Sequence, residues 1–152
     1  MPLDFTFSLA NLVAAAGWMA LALSPLRPRL AQIVATRAVP GLLAAIYTGL
    51  IVLFWHESSG GFGSLDQLAA LFSHRGLLLA GWVHYLAFDL FVGAWQVREA
   101  ERSNVPHLAV LPSLLLTFMF GPIGLLAFLG LSAWMRRHSA PPVQGDIPCR
   151  SS

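Results

Sequence analysis

Gly76-Leu-Leu-Leu-Ala-Gly-Trp-Val-His-Tyr-Leu-Ala-Phe-Asp-Leu-Phe-Val-Gly-Ala-Trp95 is long enough, as a helix, to cross the roughly 30 Å hydrocarbon core of a bilayer. It carries a histidine, His84, and a carboxylate, Asp89. A charged side chain at membrane depth costs about 2.5–3.5 kcal/mol, and each neighbouring Leu, Val or Phe returns only about 0.3–0.6 kcal/mol. Leu77, Leu78, Leu79, Val83, Leu86, Phe88, Leu90, Phe91 and Val92 together just offset one aspartate. The helix can insert, but Asp89 is a cost that calls for a reason, and the other segments read as walls around it.

The rest of the chain agrees with this setting. Of 152 residues, 57% are apolar and 11% charged, against about 25% charged in soluble domains. The expected fold is an all-α membrane protein with four transmembrane helices, at about 5–23, 39–55, 76–95 and 108–134. A short interfacial helix lies between the second and third, at about 64–73, where Ser64-Leu-Asp-Gln67 reads as a capping box. Residues 1–138 make one transmembrane domain, and 139–152, rich in proline, make a disordered tail. The start, Met1-Pro-Leu-Asp4, has no cationic n-region, so the first apolar run is kept as a span. A multi-pass protein of a bacterial inner membrane is the expected location.

There is no lysine; all nine cations are arginine, too few and too scattered for a nucleic-acid partner. One cysteine, Cys149, excludes an intrachain disulfide. Arg27, Arg29, Arg37, Arg98 and Arg102 fall in the first and third connections, while Arg75, Arg136 and Arg137 fall on the opposite side of a four-span arrangement. That bias puts the first and third connections in the cytoplasm and both termini outside. Trp18, Trp55, Trp95 and Trp134 near the helix ends fit an interfacial belt.

Several polar groups fall inside the spans. Asn11 reads either as an interhelical hydrogen-bonding group or as a pocket group facing Asp89. Tyr47 and Thr48 are mid-depth in the second span, and His56-Glu57 is either a solvated helix end or a metal pair. Trp82, beside His84 and Tyr85, is a candidate aromatic pocket wall or plain packing; Phe88 falls in the same stretch. In the fourth span Pro112 and Gly121-Pro122 predict a kink. Ser113, Thr117 and Gly121 repeat at i, i+4, i+8 as a small-residue stripe, for close helix packing or for a pocket opened by the kink.

His84 and Asp89 are five residues apart, about 140° of helical rotation, so they form no compact chelate. No metal-ligand spacing, phosphate loop or nucleophile elbow occurs, and neither a metal nor a cofactor is expected. The two residues could flank one elongated ligand. Tyr85, one turn before Asp89, is placed to hydrogen-bond it. A neutral Asp89 could donate a proton and His84 accept one; alternatively Asp89 simply bonds Asn11, Tyr47 or a helix backbone.

The stretches Gly81-Trp-Val-His-Tyr-Leu-Ala-Phe-Asp-Leu-Phe-Val-Gly93 and Leu111-Pro-Ser-Leu-Leu-Leu-Thr-Phe-Met-Phe-Gly-Pro-Ile-Gly-Leu125 resemble the neoxanthin-synthase-like family of small four-helix membrane proteins, the abscisic-acid-deficient type with its bacterial relatives. The family's motif residues correspond to His84, Asp89, Gly121 and Pro122. Plant members are implicated in converting violaxanthin to neoxanthin. That is an isomerisation, in which an epoxide oxygen is protonated and a neighbouring C–H proton lost. The resemblance thus implies a carotenoid- or isoprenoid-modifying isomerase, with Asp89 as acid and His84 as base. Asn11, Tyr47, Trp82, Tyr85, Phe88 and Thr117 are then the candidate substrate-binding residues. The other reading is a non-catalytic protein that binds a carotenoid or lipid or supports a partner complex. Membrane lipid, a carotenoid or other long apolar ligand, and a second copy of the chain are the expected partners.

Overall fold

A computed structural model describes residues 2–138; the tail expected to be disordered, with Cys149, lies outside them. Among the described residues the chain is all helical: α1 Leu3–Ala22, α2 Pro28–Glu57, α3 Leu65–Ser73, α4 Arg75–Arg102, α5 His107–Phe120 and α6 Pro122–His138. Three of these, α1, α2 and α4, are long and apolar enough to cross a membrane.

The central element is α4. It buries half of its most apolar stretch, against 28% in α1 and 17% in α2. Small residues on its neighbours and on itself set the spacing. A methyl at Gly17 would meet Leu90, and one at Gly93 would meet the Trp18 ring at 2.7 Å, so α1 and α4 pack at close range. Trp18 is therefore buried over Gly93 and edge-on to Phe118, not part of an interfacial belt. Contacts fix the directions. Asp4 meets Arg75 and Asn11 meets Trp82, so α1 and α4 run parallel. Phe54 lies over Gly76 and Tyr47 against His84, so α2 runs antiparallel to both.

The second span begins well before the expected position. The helix is continuous from Pro28, where proline suits the first turn. It then passes through Pro40 instead of starting there. Proline offers no N–H to the carbonyl four residues back and crowds it. The chain absorbs this with a wider π-helical turn at Val34–Ala38, just ahead of Pro40.

The expected short helix is present as α3, its N-terminus capped by Ser64 Oγ accepting from the Gln67 amide at 3.2 Å. The Gln67 side chain accepts from Gly63 N, one residue earlier than a capping box requires. Glu57, read with His56 as either a solvated helix end or a metal pair, holds His74 at 3.2 Å across the corner between α2 and α4. Among the described residues no group of three or more His, Cys, Asp or Glu could hold a metal ion.

The largest departure is the fourth span. Instead of one kinked helix over 108–134 there are two, broken at Gly121, whose φ of 43° and ψ of −93° lie outside helical space. The break is a reversal. A methyl on Gly124 would fall on the Thr117 backbone, a contact impossible seven residues apart on a continuous helix. Phe128 packs on Trp95, and Leu125 and Leu129 lie beside Phe91, Val92 and Trp95. Thus α5 runs antiparallel to α4 as far as the Asp89 level, and α6 returns beside α4 toward the Arg102 end. Gly-Pro makes this possible: glycine supplies the backbone conformation, and Pro122 begins α6 at the one place where its missing N–H costs nothing. With 14 residues, about 21 Å of rise, α5 is too short to span a bilayer. The end of α6 bearing Arg136 and Arg137 consequently lies on the same side as Arg98 and Arg102, not opposite them.

Candidate functional site

Asp89 sits at the centre of α4, where the reversal meets it. Its residue is 9% exposed, and its Oδ2 is buried without a hydrogen-bond partner. A methyl on Gly121 would approach Oδ1 to 2.7 Å, so the glycine admits the carboxyl as well as the turn. Tyr85 stands one helical turn earlier on the same side of α4. Its hydroxyl donates to the backbone carbonyl of Met119 at 3.1 Å, with that of Phe118 at 3.4 Å. These are carbonyls of the last turn of α5, left without helical partners by the break. Asp89 and Tyr85 therefore grip the tip of the hairpin from two sides.

From Tyr85 an aromatic file leads along α1. Trp82 stacks on Tyr85 with ring centroids 5.4 Å apart and tilts against Phe7 at 6.0 Å. The Trp82 indole N–H donates to Asn11 Oδ1 at 3.0 Å, and Asn11 Nδ2 returns a bond to the Phe7 carbonyl. Asn11 is thus an interhelical hydrogen-bonding group engaged with Trp82 rather than one facing Asp89. Past Trp82 a small hollow of about 290 Å³ ends at the Arg75–Asp4 ion pair, 3.0 Å long and exposed.

On the other side of the hairpin tip lies a groove of about 640 Å³ between the second half of α1 and α5. Ala15, Trp18 and Met19 form one wall and Leu111, Pro112 and Phe118 the other. Every lining side chain is apolar. Phe118 belongs to both features, its ring in the groove and its carbonyl within reach of Tyr85.

The remaining expected site residues lie elsewhere. His84 is exposed on the α2 flank, stacked on Phe88 at 4.4 Å and tilted toward Tyr47 at 5.5 Å. Asp89 faces the hairpin instead, as the 140° separation requires. The structure does not bring the proposed acid and base together. Thr117 faces neither the groove nor Asp89. It is fully buried, accepts from Gln96 Nε2 at 2.8 Å and donates to the Ser113 carbonyl.

Gln96 is the residue that sequence reasoning passed over. It is 0% exposed, although it follows Trp95 and opens the charged sequence Gln96-Val-Arg-Glu-Ala-Glu-Arg102. The available signal was periodicity: Gln96 lies seven residues after Asp89, on the same helical face.

A family model described as ABA DEFICIENT 4-like matches residues 5–128. The chain belongs to the ABA DEFICIENT 4-like family. No curated protein and no solved structure matches it. In this family member the matched region takes in the groove, the aromatic file, Asp89 and the reversal, and stops within α6 at Phe128.

Proposed function

We propose that this ABA DEFICIENT 4-like protein is an integral, multi-pass membrane protein that holds a long apolar ligand of the carotenoid or isoprenoid class in the groove between α1 and α5. The carrying observation is the groove itself, about 640 Å³ with an apolar lining. Ligand pockets have this size range and character. Three helices of spanning length and a surface studded with Leu, Phe and Ile support the membrane setting. Phe118 joins the groove to Tyr85, its ring in the lining and its carbonyl within reach of the Tyr85 hydroxyl, so a polar end of such a ligand would lie near that turn.

The test is co-purification from a carotenoid-producing bacterial host. Ala15 and Ala22 line the groove and are exposed to it. Ala15→Trp or Ala22→Trp should cut bound pigment about tenfold while leaving the folded yield unchanged, because filling the groove removes about 1–3 kcal/mol of fit. Equal pigment on wild type and both variants would overturn the assignment.

Asp89 buried without a full set of partners favours a second reading, acid/base isomerisation of an epoxide-bearing ligand, with Asp89 as proton donor. The separation of His84 from Asp89 weighs against His84 as the base in the same step. In a deletion strain complemented with variants, a catalytic Asp89 predicts that Asp89→Asn binds pigment but leaves the carotenoid profile unconverted, with His84→Ala indistinguishable from wild type. If deletion leaves the profile unaltered, the isomerase reading fails and binding stands.

A further inference from the structure

The reversal at Gly121 redistributes the charges of the molecule. At the end where α1 finishes, α2 begins, α4 finishes and α6 finishes stand Arg27, Arg29, Arg37, Arg98, Arg102, Arg136 and Arg137, with Glu99 and Glu101. At the other end stand Arg75 alone and the acids Asp4, Glu57 and Asp66. Among the described residues the count is seven arginines against one, where a four-span reading gives five against three.

The two ends also differ in pairing. Arg75 is held by Asp4. Among the described residues none of the seven arginines at the other end forms an ion pair, and six of them are exposed, Arg98 being half-buried. A band of unpaired guanidinium groups around the rim of an apolar helical body is complementary to phosphate headgroups.

We infer that the arginine end sits among the anionic headgroups of the cytoplasmic leaflet, that α5 and α6 dip into the membrane from that leaflet and return to it, and that the groove draws its ligand from there. The inference rests on the proposed membrane setting. Arginine-rich segments near membrane boundaries are retained on the cytoplasmic side, and a seven-to-one bias is decisive where five-to-three is not. A helix pair ending in mid-membrane needs its free backbone groups held by protein, and Tyr85 does this for the α5 carbonyls. The groove then follows from depth. Its walls, Ala15–Ala22 of α1 and Leu108–Phe118 of α5, run from about the level of Asp89 toward the arginine end.

The topology can be read with a membrane-impermeant maleimide on intact and permeabilised bacterial cells. Cys149 is the native reporter for the C-terminus, as the chain has no other cysteine. Ser59→Cys in a Cys149→Ser background reports the exposed turn between α2 and α3. The expected result is that Ser59→Cys reacts in intact cells and Cys149 only after permeabilisation. Both reacting from the same side would mean that the last two helices together cross the membrane, and the inference falls. Opposite sides with the order inverted would place the groove in the outer leaflet and equally overturn it. Carbonate washing of the same membranes separates these failures from failure of the setting itself: release of the protein would remove the membrane reading, whereas retention with the wrong labelling would remove only the leaflet assignment.

Discussion

Gly121→Ala should cost roughly 2–5 kcal/mol of stability, and its sign distinguishes the observed reversal from a kinked span. In a continuous helix, replacing glycine by alanine gains about 0.5–1 kcal/mol, because alanine has less backbone freedom to lose. At Gly121 the change must lose. A β-carbon at φ 43° costs roughly 1–2 kcal/mol. The same atom would stand 2.7 Å from Asp89 Oδ1, and accommodating it in a filled interior costs about 1–3 kcal/mol more. The two parts separate in a double-mutant cycle. Asp89→Ala removes the carboxyl, so Gly121→Ala in that background should retain only the backbone part, and the coupling between the sites should be of order 1–3 kcal/mol. Gly124→Ala provides a second test independent of Asp89, because its new methyl would meet the Thr117 backbone and Oγ1, and the backbone cannot move aside. Thermal unfolding of the detergent-solubilised protein, followed by fluorescence-detected size exclusion, reads all four variants. Stabilisation by either alanine alone would show that α5 and α6 form one helix.

Thr117→Val should destabilise by about 1–3 kcal/mol, with Gln96→Leu in the same background restoring most of the loss. The Gln96 amide is wholly buried and Thr117 Oγ1 is its partner at 2.8 Å and 3.3 Å. Taking the hydroxyl away leaves a buried amide unsatisfied, which costs the full desolvation penalty, whereas replacing both partners by apolar groups of similar shape is nearly neutral. The same melting assay checks it. A Thr117→Val variant as stable as wild type would mean that the Gln96 amide finds other partners. If Thr117 bound ligand instead, Thr117→Val would alter pigment binding without lowering stability.

Much of the architecture was legible from composition and pattern. A run of twenty residues from Gly76 to Trp95 reads as a helix in apolar surroundings whatever packs around it, because its backbone has no other way to satisfy its hydrogen bonds there. Ser64 as an N-cap and the break after Leu23 are local consequences of residue type. Proline was harder to read. Pro28, Pro40 and Pro122 all occupy positions that end or begin helices in sequence statistics, yet Pro28 starts a helix, Pro40 is carried inside one by a π-helical turn, and Pro122 starts a helix that runs backward. What proline forbids is local, whereas the way the chain absorbs it depends on what packs alongside.

Sequence alone determined that this chain is helical and apolar, that it resembles the family whose model matches residues 5–128, and that Asp89 is the anomaly to be explained, since helix formation and hydrophobicity are properties of neighbouring residues. Only the tertiary structure decided that the fourth segment folds back on itself, that Asp89 and Tyr85 hold its tip while His84 faces away, and that seven arginines share one end. Those outcomes turn on the direction taken by the chain at a single glycine, and direction is set by the surfaces that α4 offers on either side of it.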